Sequence, residues 1–287
     1  MASIQANGIT VEYETFGNSA DPPLLLVMGL GAQMIAWDDD FVASLAQRGF
    51  YVIRYDNRDV GLSTWFDEAG PPDIAAALSG DAKAPYLLAD MADDAAGLLD
   101  ALGIDSAHIV GASMGGMIVQ SMAIGHPSRV RTLTSIMSTT GAPDVGQPHE
   151  AAMQALLSPP PTDKQSAING SLAAWAVMGS PGYPLHEDRI SANVGAAFDR
   201  AFHPEGTARQ LVAIVASPDR TPDLKGLDIP TLVIHGESDT LVDPSGGKAT
   251  ADAVPGAELW MIPGVGHDLP MELFDEFADR IAAHCAP

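Results

Sequence analysis

The stretch "HIVGASMGGMIVQ", residues 108–120, sets three glycines around a single serine and flanks them with apolar residues on both sides. The first apolar run reads as a buried strand ending at Gly111, and the second has the length and composition of a helix. Between them lies Gly111-Ala112-Ser113-Met114-Gly115, a G-x-S-x-G. A serine at such a strand-to-helix junction occupies a sharp turn that lifts its hydroxyl above the sheet. Side chains two positions before and after it would collide with neighbouring backbone, and glycine removes the collision. The helix that starts there aims its dipole and unpaired N–H groups at the hydroxyl, where they would stabilise a developing negative charge. Ser113 is therefore the expected nucleophile.

Strand and helix patterns alternate around this junction. Continuous or alternating apolar runs at 8–17, 22–29, 50–59, 107–112, 131–137, 229–236 and 257–264 read as strands. Helical spacing appears at 38–49, 86–103, 114–127 and 269–284. In the second of these, Leu88, Met91, Ala95, Leu98 and Leu102 form the apolar stripe, and Asp90, Asp93, Asp94 and Asp100 are expected on the opposite side. Strand, helix, strand in this rhythm predicts an α/β fold: a mostly parallel central sheet with helices on both faces. From residue 140 to 227 the rhythm stops and proline-rich breaks such as "SPPPTD" and "SPGYP" separate short helical patterns. Trp175, Met178, Tyr183, Phe198 and Phe202 give that segment apolar surface to bury, so it reads as an inserted helical cap rather than a linker. The predicted organisation is a first core part at 1–139, a cap or lid at 140–227 and a second core part at 228–287.

Acidic residues number 37 against 14 Lys and Arg, a formal net charge of −23. A surface that negative repels phosphate backbones and anionic lipid, so neither nucleic acid nor membrane is an expected partner. No apolar run approaches the roughly 20 residues of a membrane-spanning helix, and the opening residues lack the pattern of a secretion signal. A cytoplasmic setting is expected. The lone cysteine, Cys285, suggests neither an intrachain disulfide nor a metal site, and homodimer formation is left open.

A serine hydroxyl needs a base, and the base needs an orienting acid. In this architecture the three follow in the order serine, acid, histidine. Of eight histidines, His267 in "MIPGVGHDLP" lies in a glycine-rich loop between the last strand and the last helix, and is the expected base. "VIHGESDTLVDP" offers Glu237, Asp239 and Asp243 beyond a strand; Asp239 is best placed, because Asp243 looks like the start of the next helix. Asp268 is expected to be a solvated charge. Two backbone N–H groups should form the oxyanion hole: Met114, following the nucleophile, and Leu30, in the turn allowed by Gly29 and Gly31. Met34, Trp37, Trp175, Met178 and Phe202 are the candidate lining of the substrate pocket.

The set "VMGLG", "YDNRDVGLS", "GASMGG", "HGESDTLVDP" and "GVGHDLP" resembles the α/β-hydrolase superfamily across nearly all of the chain outside the cap, and within it the aclacinomycin methylesterase group of serine esterases. The resemblance places serine, acid and histidine at Ser113, Asp239 and His267, and the oxyanion donors at Leu30 and Met114. Where many superfamily members carry His-Gly, this chain has Met28-Gly29. The resemblance implies acyl transfer to Ser113 from a small-molecule ester with no cofactor and no metal. Lactone hydrolysis, C–C bond hydrolysis, and cofactor-free perhydrolase or haloperoxidase chemistry can use the same residues. A ligand-binding receptor that turns over slowly is the alternative from another class. Asp56 and Arg58 are read as a structural ion pair or turn.

Overall fold

The computed structural model describes residues 1–79 and 83–286; Pro287, the expected end of the second core part, lies outside them. Its strands are β1 (Ala2–Ala6), β2 (Ile9–Phe16), β3 (Pro23–Val27), β4 (Tyr51–Tyr55), β5 (Ala107–Ala112), β6 (Val130–Ile136), β7 (Thr231–Gly236) and β8 (Glu258–Ile262). Its α-helices are α1 (Asp39–Gln47), α2 (Ile74–Leu78), α3 (Leu88–Ala101), α4 (Met114–Gly125), α5 (Glu150–Leu156), α6 (Lys164–Met178), α7 (Glu187–Arg200), α8 (Pro204–Ala216), α9 (Thr221–Leu224), α10 (Ser245–Ala253) and α11 (Phe274–Cys285). The strands form one sheet in the order β1-β2-β4-β3-β5-β6-β7-β8. β1, β2 and β4 run antiparallel in turn, and from β4 through β8 every pairing is parallel.

The apolar run in β3 explains the layering. Leu24 and Leu26 turn to one face and join Phe41, Val42 and Leu45 of α1 and Phe277 and Ile281 of α11. Leu25 and Val27 turn to the other face, against Met91, Leu98 and Leu99 of α3 and Met117, Ile118 and Met122 of α4. A strand covered on both faces has no polar side to alternate with, hence the continuous run. β3 pairs with β4 on one side and β5 on the other, so the chain direction across the sheet reverses there. The carboxyl ends of β3 and β5 therefore open a crevice, the usual ligand position in such sheets.

The structure adds one strand and corrects two local expectations. Ala2–Ala6, left unassigned above, is a strand hairpinned to β2 through Asn7 and Gly8, whose φ values of 47° and 77° suit the tight turn that Asn-Gly favours. Asp94 is not on the solvent side of α3: it is buried, accepting from Arg58 Nε at 2.6 Å and from Asn7 Nδ2 at 2.9 Å. Of the two readings of Asp56 and Arg58, the turn stands, with Arg58 and Asp59 in a turn, and the ion pair does not, since Asp56 meets Arg200 at 2.7 Å. Between β6 and β7 the chain makes five described α-helices, α5–α9, before rejoining the sheet. Among the described residues, no helix is long and apolar enough to cross a membrane.

His108 on β5 is buried beside Phe50, with Nδ1 3.0 Å from Thr132 Oγ1. Burial, with the positive charge of Arg131 and His284 adding to it, lowers its pKa from 6.5 to about 4. The unfolded chain therefore takes up a proton that the folded chain refuses, so this group costs no stability at neutral pH and an increasing amount as pH falls from 6.5 towards 4. Urea midpoints measured across that range should fall more steeply in the parent than in His108→Gln. Parallel curves would contradict the burial account.

Candidate active site

Ser113 joins β5 to α4 with φ 57° and ψ −121°, a backbone conformation that non-glycine residues rarely adopt. Its own N–H donates to the Ile136 carbonyl at 2.9 Å, and its carbonyl accepts from the Gly116 N–H at 2.9 Å. A Cβ at Gly111 would stand 2.1 Å from the Gly115 carbonyl oxygen, and one at Gly115 would stand 2.0 Å from that of Val27. Both distances are impossible contacts, so the turn requires glycine at each position.

The loops after β5, β7 and β8 bring three of the expected residues together. Ser113 Oγ lies 2.9 Å from His267 Nε2, and His267 Nδ1 lies 2.7 Å from Asp239 Oδ2. Because an ionised carboxylate only accepts, Nδ1 carries the proton and Nε2 is left to accept from the serine hydroxyl. Asp239 is buried; its Oδ1 takes the N–H groups of Leu241 and Val242, each at 2.9 Å. His235, fully buried on β7, brings a second imidazole: Nε2 donates to the Val242 carbonyl at 2.8 Å and lies 3.4 Å from Asp239 Oδ2. Burial opposes ionisation of Asp239, but the electrostatic attraction and hydrogen bonds of the His267 and His235 imidazoles prevail and hold its carboxyl well below the usual range. Asp243 takes another position, capping α10 through the Ser245 N–H at 2.9 Å. Glu237 is exposed.

The loop after β3 closes the crevice. A Cβ at Gly29 would stand 3.1 Å from Ser113 Cβ, so the backbone of this loop lies against the serine. Among the described residues, neither the Leu30 nor the Met114 N–H has a hydrogen-bond partner. Asn57 Nδ2 donates to the Met28 carbonyl at 2.9 Å, and Asp56 Oδ1 accepts the Met34 N–H at 2.8 Å, so "DNRD" braces the loop instead of forming an internal pair.

A family model described as alpha/beta hydrolase fold matches residues 22–272. The chain belongs to the α/β-hydrolase family. It is 30% identical to rhodomycin D methylesterase DauP of Streptomyces sp. (strain C5), over 98% of this chain and 96% of the relative. It is 28% identical to rhodomycin D methylesterase DnrP of Streptomyces peucetius, over 96% and 95% respectively. The crystal structure of the enol-lactonase from Burkholderia xenovorans LB400 aligns with a TM-score of 0.76 at 25% identity, covering 99% of both chains.

The expected pocket residues of this α/β-hydrolase lie in different surroundings. Trp37 has no exposed surface and stacks on Phe41 at 5.8 Å within the core, and Met34 is equally buried. Phe202 is 39% exposed and stacks on Phe198 at 4.6 Å. Trp175 lines a cavity of about 930 Å³ whose wall includes Leu185, Asp239, Thr240 and Asp268 but neither Ser113 nor His267. Met178 is buried, and its carbonyl accepts the His267 N–H at 2.7 Å. Asp268, expected in solvent, is half-buried and accepts from Ser180 Oγ, which itself takes the Gly266 N–H at 2.9 Å; burial pushes its carboxyl up. Nothing in the sequence marks Met178 or Ser180 for this service, because one acts through its carbonyl and the other through a single hydroxyl. Among the described residues, no group of His, Cys, Asp or Glu could hold a metal ion.

Gly115→Val should block the approach of α4 to β3. The expected outcome is mostly insoluble protein, with the soluble fraction labelled by a fluorophosphonate at least about tenfold more slowly than the parent. A soluble variant labelled at the parental rate would overturn the steric account.

Proposed function

We propose that the chain is a serine esterase that cleaves a small alkyl ester, a methyl ester first, of a medium-sized and largely apolar acid. The chain is a carboxylic ester hydrolase, as its family and its methylesterase relatives support. The observation that carries the mechanism is the continuous contact from Ser113 Oγ through His267 to Asp239, at 2.9 and 2.7 Å. In the proposed reaction Ser113 Oγ bonds to the ester carbonyl carbon as its proton passes to His267 Nε2. The carbonyl oxygen becomes an oxyanion facing the Leu30 and Met114 N–H groups, each such donor being worth about 3 to 4 kcal/mol. Collapse breaks the bond to the alkoxide, which leaves as the alcohol with the proton from Nε2. A water then attacks the acyl-enzyme, returning a proton to Nε2, and Ser113 departs as the free hydroxyl with release of the acid. Asp239 orients the imidazole and balances its transient charge. Residues 140–227 act as the cap that selects the acyl group.

A lactone is the second reading, supported by the likeness to the enol-lactonase; the chemistry is unchanged, with the leaving alcohol still tethered to the acyl group.

Turnover should be measured on p-nitrophenyl acetate and butyrate and on a panel of methyl esters and lactones, with fluorophosphonate labelling alongside. Ser113→Ala should lose about 10^3-fold or more of kcat/KM and all labelling while keeping the parental melting temperature. Asp239→Asn should lose less than His267→Ala, by about 10^2- to 10^4-fold against the parent. Ser113→Ala retaining activity within about tenfold of the parent would falsify serine catalysis. Labelling of the parent without turnover of any ester or lactone would instead favour the receptor.

A further inference from the structure

Gln210 stands on α8 with no exposed surface, and both ends of its side-chain amide are bonded to backbone. Oε1 accepts the Gly31 N–H at 2.8 Å, and Nε2 donates to the Arg58 carbonyl at 2.8 Å. One side chain thus joins a helix lying between β6 and β7 to the loop after β3 and the loop after β4. Resting on the reading of the Leu30 N–H as an oxyanion donor, we propose that Gln210 is the positioning residue of the oxyanion hole. It engages the Gly31 N–H and so fixes the peptide planes that leave the Leu30 N–H facing Ser113.

The loop needs such a restraint because Met28-Gly29-Leu30-Gly31 contains two glycines, one of them, Gly31, at φ 66°. Glycine lets neighbouring peptide planes rotate cheaply, whereas an oxyanion hole works only if its donors are oriented before the charge appears. Within the loop, the Ala32 N–H reaches the Gly29 carbonyl at 3.3 Å, beyond the usual span of a good N–H to oxygen bond. In a trans peptide the N–H points opposite to its carbonyl partner, so holding the Gly29 carbonyl in that turn sends the Leu30 N–H outward. Gln210 supplies the shorter bond, on the next peptide.

α8 also removes the space into which the loop could turn. A Cβ at Gly31 would lie 2.7 Å from Thr207 Oγ1, one turn before Gln210 on the same helix. The helix is itself anchored, because Arg209 donates to both carboxylate oxygens of Asp59, at 2.9 and 2.8 Å. Without the amide the Gly31 N–H has two choices: to stay unpaired at a cost, or to turn and carry the Leu30 peptide with it.

The test compares Gln210→Met, which keeps the side-chain length and loses both bonds, with Gln210→Glu, which keeps an acceptor for Gly31 and loses the donor to Arg58. The readouts are the rate constant of fluorophosphonate labelling, normalised to the final labelled fraction, and kcat and KM on p-nitrophenyl butyrate. Gln210→Met is expected to slow labelling and kcat together by about 10- to 100-fold with KM changed by less than about threefold, because only the transition state uses the hole. Gln210→Glu is expected to stay within about threefold of the parent in labelling. Parental rates in Gln210→Met, or a tenfold or larger loss in Gln210→Glu, would overturn the proposal. Should Gln210→Met fail to fold, the Gln210→Glu rate decides alone. Because labelling needs no particular substrate, the test stands even if the chain proves not to hydrolyse esters.

Discussion

One strained residue organises the molecule: a serine held at φ 57° between the last residue of β5 and the first of α4. Such a conformation costs on the order of 1–3 kcal/mol and persists only where its surroundings leave no alternative. Here α4 is pressed so close to the sheet that Gly115 would touch the Val27 carbonyl if it carried any side chain. The helix is buried along Met114, Met117, Ile118, Val119 and Met122, so straightening the turn would pull an apolar helix out of the core. Packing of α4 therefore fixes the direction of the Ser113 hydroxyl, and β3, hydrogen-bonded beside β5, places its own loop against that hydroxyl.

The segment between β6 and β7 holds the loops of the site in place. The end of α6 and the residues after it hold the histidine loop through four contacts: Met178 O with the His267 N–H, Ser180 Oγ with the Gly266 N–H and with the Asp268 carboxylate, and the Gly182 N–H with Gly264 O. Val177 O also accepts from Thr240 Oγ1, one residue past Asp239. At its other end, Gln33 donates to the carbonyls of Ala197 and Ala201, each at 2.7 Å, and accepts from Arg200. The helices of this segment therefore locate both the His267 loop and the loop that lies against Ser113. Movement of the segment as one rigid lid would break contacts on both sides of the site at once.

The elbow, the two-faced strands and the serine, acid, histidine order were legible because each rests on local chemistry: glycine where a side chain cannot fit, an apolar run where both faces are covered, and loop residues after strands. What could not be read depends on contacts between distant segments. Asp94 sits on α3 among other aspartates, and only the distant Arg58 and Asn7 distinguish it as buried. Trp37 follows the loop after β3 as a pocket residue would, yet its ring turns to Phe41, one turn along, and enters the core. β1 is short and carries one large apolar side chain, Ile4, so the alternation of "ASIQA" is slight; the Asn7-Gly8 dipeptide is the stronger mark, since it signals a hairpin. Met178, Ser180 and Gln210 carry no signal in a single sequence, because what they touch, backbone groups and for Ser180 also the Asp268 carboxylate, comes from far along the chain.

The charges around the site bear on what it can accept. Across a chain of net charge −23, the arginines near the loop after β3 are matched by carboxylates: Arg200 meets Asp56 at 2.7 Å, and Arg209 meets Asp59 at 2.8 Å and Asp67 at 3.0 Å. Neither offers an unbalanced positive charge to an anionic ligand. On the proposed reading, in which the Leu30 and Met114 N–H groups receive the carbonyl oxygen, a protein this acidic stabilises negative charge best where it appears only during the reaction. A neutral ester or lactone meets that condition, since its carbonyl is uncharged on arrival and anionic only in the transition state. The acid that such a reaction releases would be anionic, and the same surface charge would favour its departure.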